Sequence, residues 1–176
     1  MKHVFLALLL STWLVGASAQ TAVPRLERDP IAQTDSRKTV RESSGWLLVV
    51  AEDNLLDRLE APSVEHTNGM PSVSVGEPLL VMIFHANPGL KSDRTGDVKC
   101  DLKVIQPDGA VSTDETGVAC FKGPLADGEE NLYLPGTIVR FTGDTTDPKG
   151  AWEVRVTMRD VVRGTEIPLR ASFTLK

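Results

Sequence analysis

Two stretches between residue 152 and the last residue alternate apolar and polar side chains, and such a chain must set one face of each stretch in a core and the other in water. Trp152, Val154, Val156 and Met158 alternate with Glu153, Arg155, Thr157 and Arg159. After a break at residues 160–164, Ile167, Leu169, Ala171, Phe173 and Leu175 are apolar, whereas Glu166, Arg170, Ser172, Thr174 and Lys176 are polar. A period of two is that of a half-buried antiparallel strand. A slip by one residue would turn every apolar side chain outward, so the register of this hairpin is well specified. Pro168 lies inside the second stretch and has no N–H for a ladder, which predicts an edge strand or a bulge there.

The upstream sequence reads the same way. Residues 45–51 (Gly-Trp-Leu-Leu-Val-Val-Ala) are a short apolar run consistent with a buried strand. Leu55, Leu56 and Leu59 stand at helical spacing behind Asp53 as N-cap, which predicts a short helix over 54–60. Residues 79–86 are nearly all apolar and predict a central strand. Val98, Cys100, Leu102 and Val104 alternate with Lys99, Asp101 and Lys103, and Pro107-Asp108-Gly109 then turns the chain into a short returning strand at Val118 and Cys120. Leu132-Tyr133-Leu134 and residues 138–142 follow. About seven short strands with turn signals between them predict an all-β, antiparallel sandwich carrying one short helix. No long helical pattern separates the strands, so a parallel α/β sheet is not expected.

The N-terminal end reads as a secretory signal. Lys2 and His3 precede an apolar run over residues 4–10 that Trp13, Leu14 and Val15 extend, and Ala17-Ser18-Ala19 supplies the small-x-small pattern for cleavage before Gln20. The run is shorter than the roughly 20 residues of a membrane span, and no later apolar stretch approaches that length. The expected layout is a signal peptide over 1–19, a flexible arm over 20–43 broken by Pro24 and Pro30, and a domain over 44–176. The expected location is periplasmic or secreted. In such an oxidising compartment, Cys100 and Cys120 are expected to form one disulfide between strands close in sequence. Formal net charge is −5, and loss of Lys2 makes the mature chain one unit more negative. With Lys and Arg scattered, this argues against nucleic acid or an anionic membrane as partner.

Gly150-Ala151-Trp152-Glu153-Val154-Arg155-Val156, then Asp160, Gly164 and Phe173-Thr174-Leu175, resemble the final hairpin of immunoglobulin-like and fibronectin-type extracellular domains. The resemblance covers about a sixth of the chain and implies a sandwich architecture. Cys100 and Cys120 stand too close in sequence for that family's bridge between facing sheets. The hairpin is also similar to that of small periplasmic copper-carrier sandwiches, which have a His in the turn and another at the mature N-terminus. Here Arg163-Gly164 and Gln20 take those places.

Nucleophile elbows, HExxH motifs, P-loops and GxGxxG motifs do not occur in the sequence. The reading is a non-enzymatic binding module, with no cofactor, whose partner is another envelope or extracellular protein. Its expected contact surface is the loops at 91–96, 123–130 and 144–150, with Lys91, Asp93, Arg94, Glu129, Glu130 and a loop-exposed Tyr133 as contact residues. One alternative is a metal or small-ligand carrier on His66, Met70, Met82 and His85, since thioether and imidazole suit copper. Calcium on Asp127, Glu129, Glu130, Asp144 and Asp147 is a variant of it. The other alternative is a hydrolase with a carboxylate pair, which requires a cleft.

Overall fold

The computed structural model describes residues 33–55, 70–125, 132–133 and 138–176. The signal segment, residues 20–32 of the arm and residues 56–60 of the expected helix lie outside the described residues. A single 3-10 turn, Glu52–Asn54, opens where that helix was expected.

Among the described residues, ten strands make two sheets. In chain order they are β1 (Arg37–Val40), β2 (Ser43–Ala51), β3 (Ser72–Val73), β4 (Pro78–Ala86), β5 (Thr95–Ile105), β6 (Val111–Pro124), β7 (Leu132–Tyr133), β8 (Ile138–Thr142), β9 (Gly150–Asp160) and β10 (Thr165–Leu175). The first sheet runs β1-β2-β4, and β7 and β8 pair with different stretches of the far edge of β4. The second runs β3-β10-β9-β5-β6. The pairings are antiparallel except that of β3 with the end of β10, so the expected all-β sandwich forms with one parallel contact.

The alternation read from the sequence becomes the core. Trp152, Val154, Val156 and Met158 of β9 and Ile167, Leu169, Phe173 and Leu175 of β10 are buried. They meet Leu47 and Val49 of β2 and Leu79, Val81 and Ile83 of β4. Burying a side chain of this size contributes about 1.5–3 kcal/mol. Trp152 packs between Phe141 and Phe173, and its indole N–H donates to the Pro148 carbonyl at 2.9 Å, so its polar atom is satisfied. The sheets approach closely at Gly45, where a Cβ would lie 3.0 Å from Met158 Cε and 3.2 Å from Leu169 Cδ1. On the other face of the first sheet, Trp46, Val50, Leu80, Met82 and Phe84 form a second cluster, with Trp46 stacked on Phe84. The apolar run of β4 therefore serves two faces.

Cys100 and Cys120 are bonded, as expected, and join neighbouring strands β5 and β6. The register slips between Val98 and Lys99, leaving Cys120 as the extra residue of a bulge. That bulge lets the consecutive residues Cys120 and Phe121 both be buried.

Pro168 sits where its missing N–H disturbs no ladder. The amides of Arg170 and Thr174 point away from β9, to the Asp35 and Pro71 carbonyls, and Pro168 shares their parity. β3 covers only Thr174 and Leu175 on this side. Residues 33–43 of the expected arm are part of the fold. They form a turn, the strand β1 and its hairpin with β2, and Asp35 pairs with Arg170 at 2.8 Å.

Candidate functional site

The polar chemistry of the interior gathers at one end of the sandwich, around Asp160. β9 ends there, and the Asp160 side chain enters a site only 2% exposed. An unpaired carboxylate in such a place would cost several kcal/mol, so it must collect donors. Its Oδ2 accepts from Ser43 Oγ at 3.0 Å and from the Gly89 amide, and its Oδ1 accepts from the Arg163 amide at 2.9 Å. Its carbonyl accepts from the Gly164 amide, which closes the turn into β10. Gly89 is required by proximity, because a Cβ there would lie 2.9 Å from the Arg163 backbone nitrogen. The Arg163 guanidinium donates to Ser43 Oγ and to the Arg41 carbonyl, and Asn87 Nδ2 donates to the Glu42 carbonyl. One carboxylate thereby ties together the β1–β2 turn, the β4–β5 loop and the β9–β10 turn.

Among the described residues, four non-glycine residues have a left-handed backbone: Arg41 (φ 46°), Glu42 (φ 71°), Asn87 (φ 48°) and Arg94 (φ 62°). All four lie in the loops of this end. The side chains of Arg41, Glu42, Lys91, Asp93 and Arg94 are exposed, and Val161 is half exposed. Asp93 accepts from the Thr95 hydroxyl and amide, bonds that hold its carboxyl below the ordinary range.

His85 lies just inside. It is 1% exposed and packed between Phe121 and Tyr133, with ring centroids 4.9 and 5.5 Å away. Among the described residues, neither ring nitrogen has a hydrogen-bond partner. Burial pushes its pKa down from 6.5 to about 4, opposed by the charge of Asp160. The hydroxyl of Thr165, the residue opposite Asp160 in the β9–β10 pair, is also buried with no partner among the described residues.

The expected site residues divide. The loop at 91–96 adjoins the start of the loop at 123–130, since Thr95 pairs with Pro124 and the Leu125 amide donates to the Arg94 carbonyl, whereas residues 126–130 lie outside the described residues. The loop at 144–150 is at the opposite end, where Gly150 abuts Pro107, so the three do not share one surface. Tyr133 is corrected from exposed contact to buried residue, at 2% exposure, because a two-residue strand pairs it with His85. Met82 and His85 belong to opposite faces of β4, as their odd separation dictates, and do not converge. Met70 is exposed and accepts from the Thr174 hydroxyl. His66, Asp127, Glu129 and Glu130 lie outside the described residues. Asp144 and Asp147 are engaged by amides of their own loop. Among the described residues, no group of three or more His, Cys, Asp or Glu is placed to hold a metal.

Ser43, His85 and Asp160 bring the residue types of a hydrolytic triad to one end. Their connectivity is not that of one, because Ser43 bonds directly to Asp160 and the imidazole bonds to neither. Asp101 and Glu166 are both paired with Arg159 on the outer face of the second sheet.

No family model matches the chain, and no curated protein matches it. Among solved structures, it is similar to a family 123 glycoside hydrolase from Clostridium perfringens, at 7% identity and a TM-score of 0.40, over 74% of this chain and 27% of that one. It is similar to a CARDB domain from Pyrococcus furiosus at 11% identity and a TM-score of 0.37, over 75% and 89% of the two chains. A type I cohesin from Pseudobacteroides cellulosolvens gives 13% identity and a TM-score of 0.28, over 74% and 92%. The chain spans about a quarter of the hydrolase. Likenesses this distant carry no inference about ligand, chemistry or partner.

Proposed function

We propose that this chain is an exported, non-enzymatic binding module of the periplasm, and that it holds another envelope protein with the loops of its Asp160 end. The observation that carries the reading is the gathering of all four left-handed non-glycine residues in those loops. Each such conformation costs on the order of 1–3 kcal/mol, somewhat less for Asn, and persists only where the surroundings impose it. A buried carboxylate ties those loops to a rigid sandwich through Ser43, Gly89 and Arg163, an arrangement suited to recognition. The resemblance of the last hairpin to immunoglobulin-like domains fits the same use of loops at one end of a sandwich. The disulfide fits an oxidising compartment.

The test is capture from cell-envelope extract by the oxidised protein, read by mass spectrometry beside the double variant Lys91→Glu, Asp93→Lys. Both side chains are exposed, so the fold should survive the exchange. A partner held by the parent and lost at least tenfold by the variant is the expected result. Equal capture by both would remove the loops from the interface. Stoichiometric copper or calcium in the parent, with no partner, would replace the reading by that of a carrier.

A further inference from the structure

We infer that His85 is an acid-sensitive pin for the Asp160 end: when the ring takes a proton, the loops there come loose and release what they hold. The regulatory part rests on the binding function proposed above, whereas the loosening does not.

The inference starts from an imbalance in the interior. The three buried side-chain atoms without a partner among the described residues are both nitrogens of His85 and the hydroxyl of Thr165. Thr165 pairs with Asp160 across β9 and β10, and His85 feels the Asp160 charge. All three atoms therefore belong to the end that carries the strained loops. Buried polar groups are nearly always paired, so a cluster of exceptions at one end calls for a physical reason.

The surroundings of the ring decide what a proton would do. From β6 it meets the ring of Phe121, and from β7 that of Tyr133. From β2 its pairing partner is Gly45. The Asp160 carboxylate on β9 is the charged group that acts on it, and that carboxylate is already held by Ser43, Gly89 and Arg163. A neutral imidazole is tolerated between two aromatic rings. An imidazolium there has two N–H donors and no acceptor. It must draw Asp160 toward itself, admit water or swing out. The first breaks the bonds that tie the loops, and the other two separate β4 from β6 and β7 beneath them.

The sign follows from linkage. The folded-state pKa is depressed from 6.5 to about 4, so the unfolded chain takes the proton first. Stability is complete above pH 6.5 and falls as pH drops toward 4. The unfolding constant rises by up to about eightfold per pH unit in that window, and about 80-fold between its ends. Asp35, Glu77, Asp93, Asp101 and Asp144 have lowered values and act only at the acid limit of this window or below it. Among the described groups with a shifted value, His85 is the one that acts between pH 6.5 and 5.

The experiment is an NMR titration of the oxidised protein from pH 7 to 4.5, without any partner, beside the variant His85→Phe. Denaturant unfolding is followed on both across the same range. In the parent, amides of residues 87–94 and 161–164 should broaden or shift together, while those of the turn at Pro107-Asp108-Gly109 stay in place. The variant should show neither the loop change nor the rise in unfolding constant between pH 6.5 and 5. Loops that stay unchanged to pH 4.5, or that change equally in the variant, would overturn the inference. If the variant does not fold, the parent decides alone, because an unfolding constant flat between pH 6.5 and 5 contradicts a depressed buried imidazole. With no partner in the sample, failure here leaves the binding proposal standing. Failure to capture a partner likewise leaves the titration valid.

Discussion

Replacing Asp160 by Ala should destabilise the protein by about 3–5 kcal/mol at pH 7, and the loss should be felt first in three loops. Removal of the carboxylate takes the acceptor from the Gly89 amide, the Arg163 amide and the Ser43 hydroxyl. A buried donor left without an acceptor costs about 1–3 kcal/mol. Ser43 has a fallback in the Asn87 carbonyl at 3.3 Å, which is why the expected sum stays below three full penalties. Urea unfolding gives the magnitude, and amide exchange gives the place. Residues 87–94 and 161–164 should exchange faster, while the centres of β5 and β9 follow only the global loss. A variant within about 1 kcal/mol of the parent would mean that the carboxylate does not hold this end together.

Loss of the disulfide should cost about 3 kcal/mol. The bond closes a loop with a sequence separation of 20, and in the chain-entropy model most of its effect lies in restricting the unfolded chain. Both sulfurs are in the core, beside Val98 and Leu102, so the paired replacement Cys100→Ala, Cys120→Ala keeps the site apolar. The comparison to make is the urea midpoint of the parent, the paired variant and the reduced parent. The last two should fall together. Unchanged midpoints would show that the bridge does not constrain the chain, and would weaken the argument for an oxidising compartment.

The parts of the fold legible in the sequence are those in which one face is wet. In β9 and β10 every second residue is apolar because every second residue is buried, and the pattern survives without reference to the rest of the molecule. The strands that read only faintly or in part lack that contrast. β1, Arg-Lys-Thr-Val, is half buried along its whole length and has no apolar period. β6 is an edge strand whose first seven residues, Val111 to Gly117, are largely exposed, so only its end at Val118 and Cys120 reads as a strand. Tyr133 was misread because its neighbours Pro135 and Gly136 signal a turn, whereas a pairing two residues long is enough to bury it.

The site was less legible for a different reason. Asp160 reads as the start of a turn, which it is, and only its parity with Trp152, Val154, Val156 and Met158 points to its burial. Its partners Gly89 and Ser43 stand 71 and 117 residues away. His85 could be seen to follow Phe84 in a strand, but the absence of a partner for its ring depends on Phe121 and Tyr133, which only the folded chain brings there. The proposed carrier site fails in the sequence itself once the strand is accepted, because residues 82 and 85 face opposite ways in any strand.

The most direct test of the account is a footprint of the captured partner by hydrogen exchange. Protection concentrated in residues 41–42, 87–94 and 161–164, with none at 107–110 or 144–149, is the result expected of a module that binds through its Asp160 end. Protection at the opposite end, or along the outer face of β5, β9 and β10, would contradict it.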